Sequence, residues 1–139
     1  MLQRIQTLWL FLASVCALLT LKFSFFSGIR AGANPGKPIE ALLATSTIPI
    51  VVLTVGLAIG MLIVIFLYKN RKLQWRLVLV GILISILIIF LYYLETQNFQ
   101  EGHYSLSAIF SIAIPVLLFM AARGIRRDQK LVKSLDRLR

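Results

Sequence analysis

The chain has 139 residues, room for one domain at most. It is 59% hydrophobic and only 14% charged, with a mean hydropathy of +0.88 and a formal net charge of +10 at pH 7. A soluble domain carries about 25% charged residues, so the composition excludes an ordinary water-soluble globule and points to an integral membrane protein.

Four apolar stretches are long enough to cross a bilayer. They cover residues 7–26, 48–68, 75–94 and 104–122, at 20, 21, 20 and 19 residues. At about 1.5 Å of rise per residue each reaches roughly 30 Å, the thickness of a hydrocarbon core. Lipid offers no partner for an unpaired backbone group, so these segments must be helices. The expected fold is all-α: four transmembrane helices in an up-down bundle, with a C-terminal basic amphipathic helix over 123–139.

The first stretch opens "MLQRIQTLWLFLASVCALL", which starts like a signal peptide, with Arg4 before an apolar run and "AGA" at 31–33 resembling a cleavage site. The run exceeds the usual signal core, about 7–15 residues, and Arg30 precedes that site, so a retained helix is expected. Cys16, the only cysteine, lies inside this run and cannot form an intrachain disulfide. It reads as a small buried apolar residue, since Val15 stands where lipoprotein acylation sites need a small one.

Residues 27–47 form the one long connection. Its Gly and Pro residues predict a loop, followed by a short helix over "IEALLATS" that leads into Pro49, a favourable first-turn proline. The second and third stretches carry Gly56-x-x-x-Gly60 and Gly81-x-x-x-Ser85, and the fourth carries Ser107 and Ser111. Small residues one turn apart let helices approach closely, and packing inside the bundle is the first reading, contact with a partner or a second copy the other. Pro115 predicts a kink in the fourth helix.

Orientation follows from Lys and Arg. If all four stretches cross, one side holds 12: Arg4, Lys69, Arg71, Lys72, Arg76, Arg123, Arg126, Arg127, Lys130, Lys133, Arg137 and Arg139. The other holds three, Lys22, Arg30 and Lys37, beside Glu40, Glu95 and Glu101. Both termini are therefore expected in the cytoplasm, in a multi-pass protein of a bacterial inner membrane. Tyr68 and Trp75 flank the inner turn, while Tyr92, Tyr93 and Tyr104 gather at the outer end, as interfacial aromatics do.

The middles of the four stretches hold no ionisable group, whereas pumps, transporters and membrane enzymes place such groups at membrane depth. His103, the only histidine, stands beside Glu101, short of the three or four ligands a metal site needs. Met61 and Met120 lie in apolar runs and read as packing residues rather than haem ligands. The chain is therefore expected to be no enzyme and to carry no cofactor or metal.

"RGIRRDQKLVKSLDRLR", residues 123–139, is seven-seventeenths Arg or Lys. Taken as a helix it places Leu131, Leu135 and Leu138 on one stripe and Arg126, Lys130, Lys133 and Arg137 opposite, with a bend expected at Gly124. Three readings stand: leucines laid into the inner leaflet with the basic face on anionic headgroups, leucines docked on a protein, or the basic face on nucleic acid. The absence of any aromatic in the tail disfavours nucleic acid.

Three pieces, "MLQRIQT", "YKNRKLQ" at 68–74 and "LVKSLDRLR" at the end, resemble a family of small four-span proteins of unknown function from Bacteroidota. The resemblance implies an inner-membrane protein but no activity or ligand. In the derived topology the three motifs meet at the cytoplasmic face: Gln3, Arg4 and Gln6; Asn70, Arg71 and Gln74; Asp128, Ser134, Asp136 and Arg137. Topology needs no amides or carboxylates, so these residues, with the leucine stripe, point to an ordered polar network or a docking surface. The function expected is a non-catalytic structural or accessory subunit bound to a partner membrane complex. The alternative is a lipid- or small-molecule-handling homo-oligomer.

Overall fold

The computed structural model describes residues 2–30, 39–67 and 70–136, with side chains at 5–29, 39–67, 70–99 and 102–132. In chain order the elements are α1 (Leu2–Leu19), β1 (Phe26–Arg30), β2 (Glu40–Leu42), a 3-10 turn (Ala44–Ser46), α2 (Ile48–Phe66), α3 (Arg71–Thr96), β3 (Phe99–Tyr104) and α4 (Ala108–Asp136). The fold is mostly helical. The helices α2, α3 and residues 108–132 of α4 are long and apolar enough to cross a membrane. The apolar stretch of α1, Ile5–Leu19, is shorter; all 18 residues of α1 rise about 27 Å.

Each helix packs on two others: α1 and α3 both contact α2 and α4. At one end Gln6 of α1 lies against Gly124 of α4, and Gln129 of α4 reaches the start of α3. At the other end Ser24, just past α1, bonds Ser107, just before α4. The core is a column of buried side chains that includes Leu10, Ala17, Ile50, Leu57, Val78, Ile88, Leu118 and Ile125. Helix α2 is rich in β-branched residues of modest helix propensity; in lipid the need to pair every backbone group outweighs that preference. Pro49 falls in its first turn, where the missing N–H costs nothing.

Several expected boundaries move. The first helix runs over 2–19, not 7–26, and the chain turns at Thr20, whose hydroxyl donates to the Ala17 carbonyl at 2.7 Å. Phe25 and Phe26 therefore cap the helices instead of crossing beside them. The fourth helix begins at Ala108 and continues to Asp136, through Pro115 and Gly124 without interruption.

Residues 31–38 of the expected loop lie outside the described residues, and the flanking residues do not form the expected α-helix. They contribute β1 and β2 to a three-stranded antiparallel sheet in the order β2-β1-β3. Phe26 and its ladder partner Leu42 are buried on one face of the sheet, and Phe25, just before β1, is buried as well. Phe25 stacks on Tyr92 at 4.4 Å, and Phe26 meets Phe99 and Tyr104 edge-on at 5.4 and 5.2 Å. Gly102 faces Gly28 across the β1–β3 ladder, and a Cβ there would stand 2.5 Å from the Ser27 carbonyl oxygen, so this crossing needs glycine. Ser105 joins the plate to the turn below, its hydroxyl 3.0 Å from that of Ser24 and 3.3 Å from that of Ser27.

Candidate functional site

The end of the molecule opposite the sheet carries the basic residues, and the helices build it from their core stripes. On α3 the buried positions are Gln74, Val78, Gly81, Ser85, Ile88 and Tyr92, steps of four and three that trace one helix face. On α4 they include Ser111, Ile114, Leu118, Ala121, Ile125 and Asp128, and on α1 Gln6, Leu10, Ala13 and Ala17. In all three, the stripe that is apolar through the middle ends on a polar residue at the basic end. Gln6, Gln74 and Asp128 retain only 7%, 6% and 7% of their surface.

These three were expected as parts of a docking surface. The structure instead turns them inward, where they close the end of the hydrophobic column. The Gln74 Nε2 donates to the Val64 carbonyl oxygen at 3.2 Å, a second bond to a carbonyl in the last turn of α2 that also accepts the Leu67 N–H. A Cβ on Gly124 would lie 2.8 Å from the Gln6 Cγ, so α1 and α4 touch through a glycine here. Gln129 Nε2 donates to the Arg71 carbonyl oxygen at 2.7 Å and ties α4 to the first turn of α3. Beside it the Arg126 guanidinium stands 5.8 Å above the Trp75 ring. Asp128 forms no ion pair with a described residue.

Asn70 is exposed and Arg71 half-buried at the start of α3, and Leu131 is exposed on α4. Gln3 and Arg4 lie on α1 and Ser134, Leu135 and Asp136 on α4, with side chains outside the described residues. Arg137 and Leu138 lie outside them altogether.

Of the small residues, Gly81 packs inside, where a Cβ would collide with Met61 Cε. Ser85 and Ser111 are buried, Ser85 donating to the Ile82 carbonyl oxygen at 2.7 Å. Ser107 is not a helix-packing residue: it precedes α4 and donates to the Ser24 carbonyl oxygen at 2.6 Å. Gly56 and Gly60 depart from the expected internal packing. A Cβ at either would meet nothing within 4 Å, because both sit on the outer face of α2 with Val52, Ile59 and Ile63.

Sequence reading missed the Trp75–Arg126 and Gln129–Arg71 pairs, which link residues more than 50 positions apart and carry no local signal. It also missed Thr54, fully buried on α2 with no hydrogen-bond partner for its hydroxyl among the described residues. His103 is exposed on β3, opposite Ser27.

Apolar helices closed at one end by a sheet and at the other by buried amides and a carboxylate, three of them long and apolar enough to cross a membrane, point to a membrane protein. Residues 2–138 match the family described as Domain of unknown function (DUF4293), and the chain belongs to it. Searches among curated proteins and among solved structures give no match.

Proposed function

We propose that this chain is a non-catalytic accessory subunit of a larger assembly in a bacterial inner membrane. All four helices cross, both termini lie in the cytoplasm, and the projecting end of α4 docks the partner. The 12-to-3 distribution of Lys and Arg supports the orientation. The observation that carries docking is Val132. It continues the buried stripe of Ile114, Leu118 and Ile125 by one heptad, yet it is 44% exposed. The core-facing side of α4 thus runs on past its own bundle, on a continuous helix of 29 residues, about 43 Å long. An apolar stripe carried beyond its own core is the form in which helices offer themselves to a groove on another protein.

Purification from the native membrane in mild detergent, with mass spectrometry, tests this. The reading expects one membrane assembly in fixed stoichiometry, lost when Val132→Lys is introduced. Purification of this chain alone overturns it.

A second reading has its own support. A Cβ on Gly56 or Gly60 would meet no described atom within 4 Å, while each helix-interior glycine costs about 1 kcal/mol relative to alanine. This favours a homo-oligomer joined through α2. Native mass spectrometry showing discrete multimers, abolished by Gly56→Leu, would support it over the first.

A further inference from the structure

At the polar end α3 and α4 bring some of the basic residues towards one seam. Gln129 ties α4 to the Arg71 carbonyl, and Arg126 lies over Trp75. Lys72 begins the same helix one turn earlier and is exposed, as is Arg126. Among the residues whose side chains are described, the only carboxylate at this end is Asp128, which is buried and pairs with neither. The seam's positive charge is therefore uncompensated within the described part of the chain.

One turn from Trp75 towards the middle of α3 lies Leu79, and two turns from Arg126 towards the middle of α4 lies Phe119, both exposed at 37% and 60%. Cations therefore sit directly above an apolar strip on the same two helices. A soluble anion has no use for the strip, and a hydrocarbon chain has none for the cations. An amphiphile with a negative head uses both. The half-buried Trp75 stands between the two zones, where indoles prefer to lie.

We propose that the α3–α4 seam binds the phosphate headgroup of an anionic phospholipid of the inner leaflet. Arg126 and Lys72 hold the phosphate, and the acyl chains run along Leu79 and Phe119. The inference rests on the proposed orientation only for the choice of leaflet. It places lipid contact at this seam rather than at the tail leucines, since α4 runs past Gly124 to Asp136 as one unbroken helix.

The test is native mass spectrometry of the full chain in non-ionic detergent with phosphatidylglycerol and phosphatidylcholine of equal acyl length. Two cations, each worth a factor of about five at an anionic surface, give an expected preference of more than about tenfold for phosphatidylglycerol. Lys72→Gln and Arg126→Gln should each reduce it about fivefold. Arg127→Gln removes the same charge from the side of α4 that bears Gly124 and meets α1, and should leave the preference within about twofold. Thermal melting of each variant confirms folding, and exposed Lys72 carries the test should Arg126→Gln fail to fold. Equal binding of the two lipids, an equal loss at Arg127, or displacement by inorganic phosphate or a soluble acidic peptide at matched concentration would overturn the proposal. Because the measurement is made in detergent, it does not depend on orientation, which a reporter fused after Arg139 reads separately.

Discussion

Gln6 and Gly124 meet so closely that a single added carbon on the glycine would stand 2.8 Å from the glutamine Cγ. Gly124→Val should therefore lower stability by about 1–3 kcal/mol, the range for overpacking, although valine is a better helix former than glycine in isolation. Shortening the opposing side chain should relieve the clash. In thermal unfolding, the Gln6→Ala/Gly124→Val pair is expected to be more stable than the sum of its single effects, and strict additivity would refute the contact.

The glycines of α2 and α3 predict opposite outcomes. Gly81→Leu drives side-chain carbons into Met61 and Leu118 and should cost about 1–3 kcal/mol. Gly56→Ala and Gly60→Ala meet open space, and each should raise the stability of the isolated chain by up to about 1 kcal/mol. Melting temperatures in one detergent decide the matter.

Two buried hydroxyls differ in the same way. The Ser14 hydroxyl donates to the Ala58 carbonyl oxygen at 3.1 Å, so Ser14→Ala should cost about 0.6 kcal/mol, the average for interhelical hydrogen bonds in membranes. The Thr54 hydroxyl has no described partner. Thr54→Val, which removes an unsatisfied polar atom at nearly constant shape, is expected to leave the melting temperature unchanged or raise it. A large drop would reveal a partner for Thr54.

Much of the helical fold is legible in the sequence because lipid imposes it: an apolar run of about 20 residues has few alternatives to a helix. The ends are less legible. Phe23, Phe25 and Phe26 have the hydropathy of a span but not its fate, since hydropathy does not distinguish a residue crossing lipid from one capping a bundle. The sheet escaped notice because its strands are short and come from two distant connections, and pairing between residues 26–30 and 99–104 has no local signature. In the candidate site the polar residues were identifiable as surplus to topology. Whether they faced in or out depended on the phase of each stripe at its last turn. Gln74 sits four residues before Val78, and Asp128 three after Ile125; that spacing places them inward, while the amphipathic pattern of the tail suggested a free surface.

The Phe25–Tyr92 stack offers a check on the opposite end. Phe25→Ala empties a buried site between the helices and the sheet, and should cost about 3–5 kcal/mol. Hydrogen exchange should then rise first in β1 and β2, whose ladder begins at Phe26–Leu42. Uniform acceleration through all four helices would show that the cap is not a separate layer.

Strand β1 is bonded on both edges, to β2 from the first connection and to β3 from the second. The link from α1 to α2 and the link from α3 to α4 are consequently sewn together by backbone hydrogen bonds. The helices cannot part at that end without unzipping a strand. At the other end, among the described residues, α1 touches α4 through a glycine, Gln74 bonds back to the last turn of α2, and Gln129 and Arg126 join α4 to the start of α3. The described contacts thus hold α4 by a backbone ladder at the sheet end and by side chains at the basic end, so separating α4 from α1 and α3 at the basic end breaks no strand pairing.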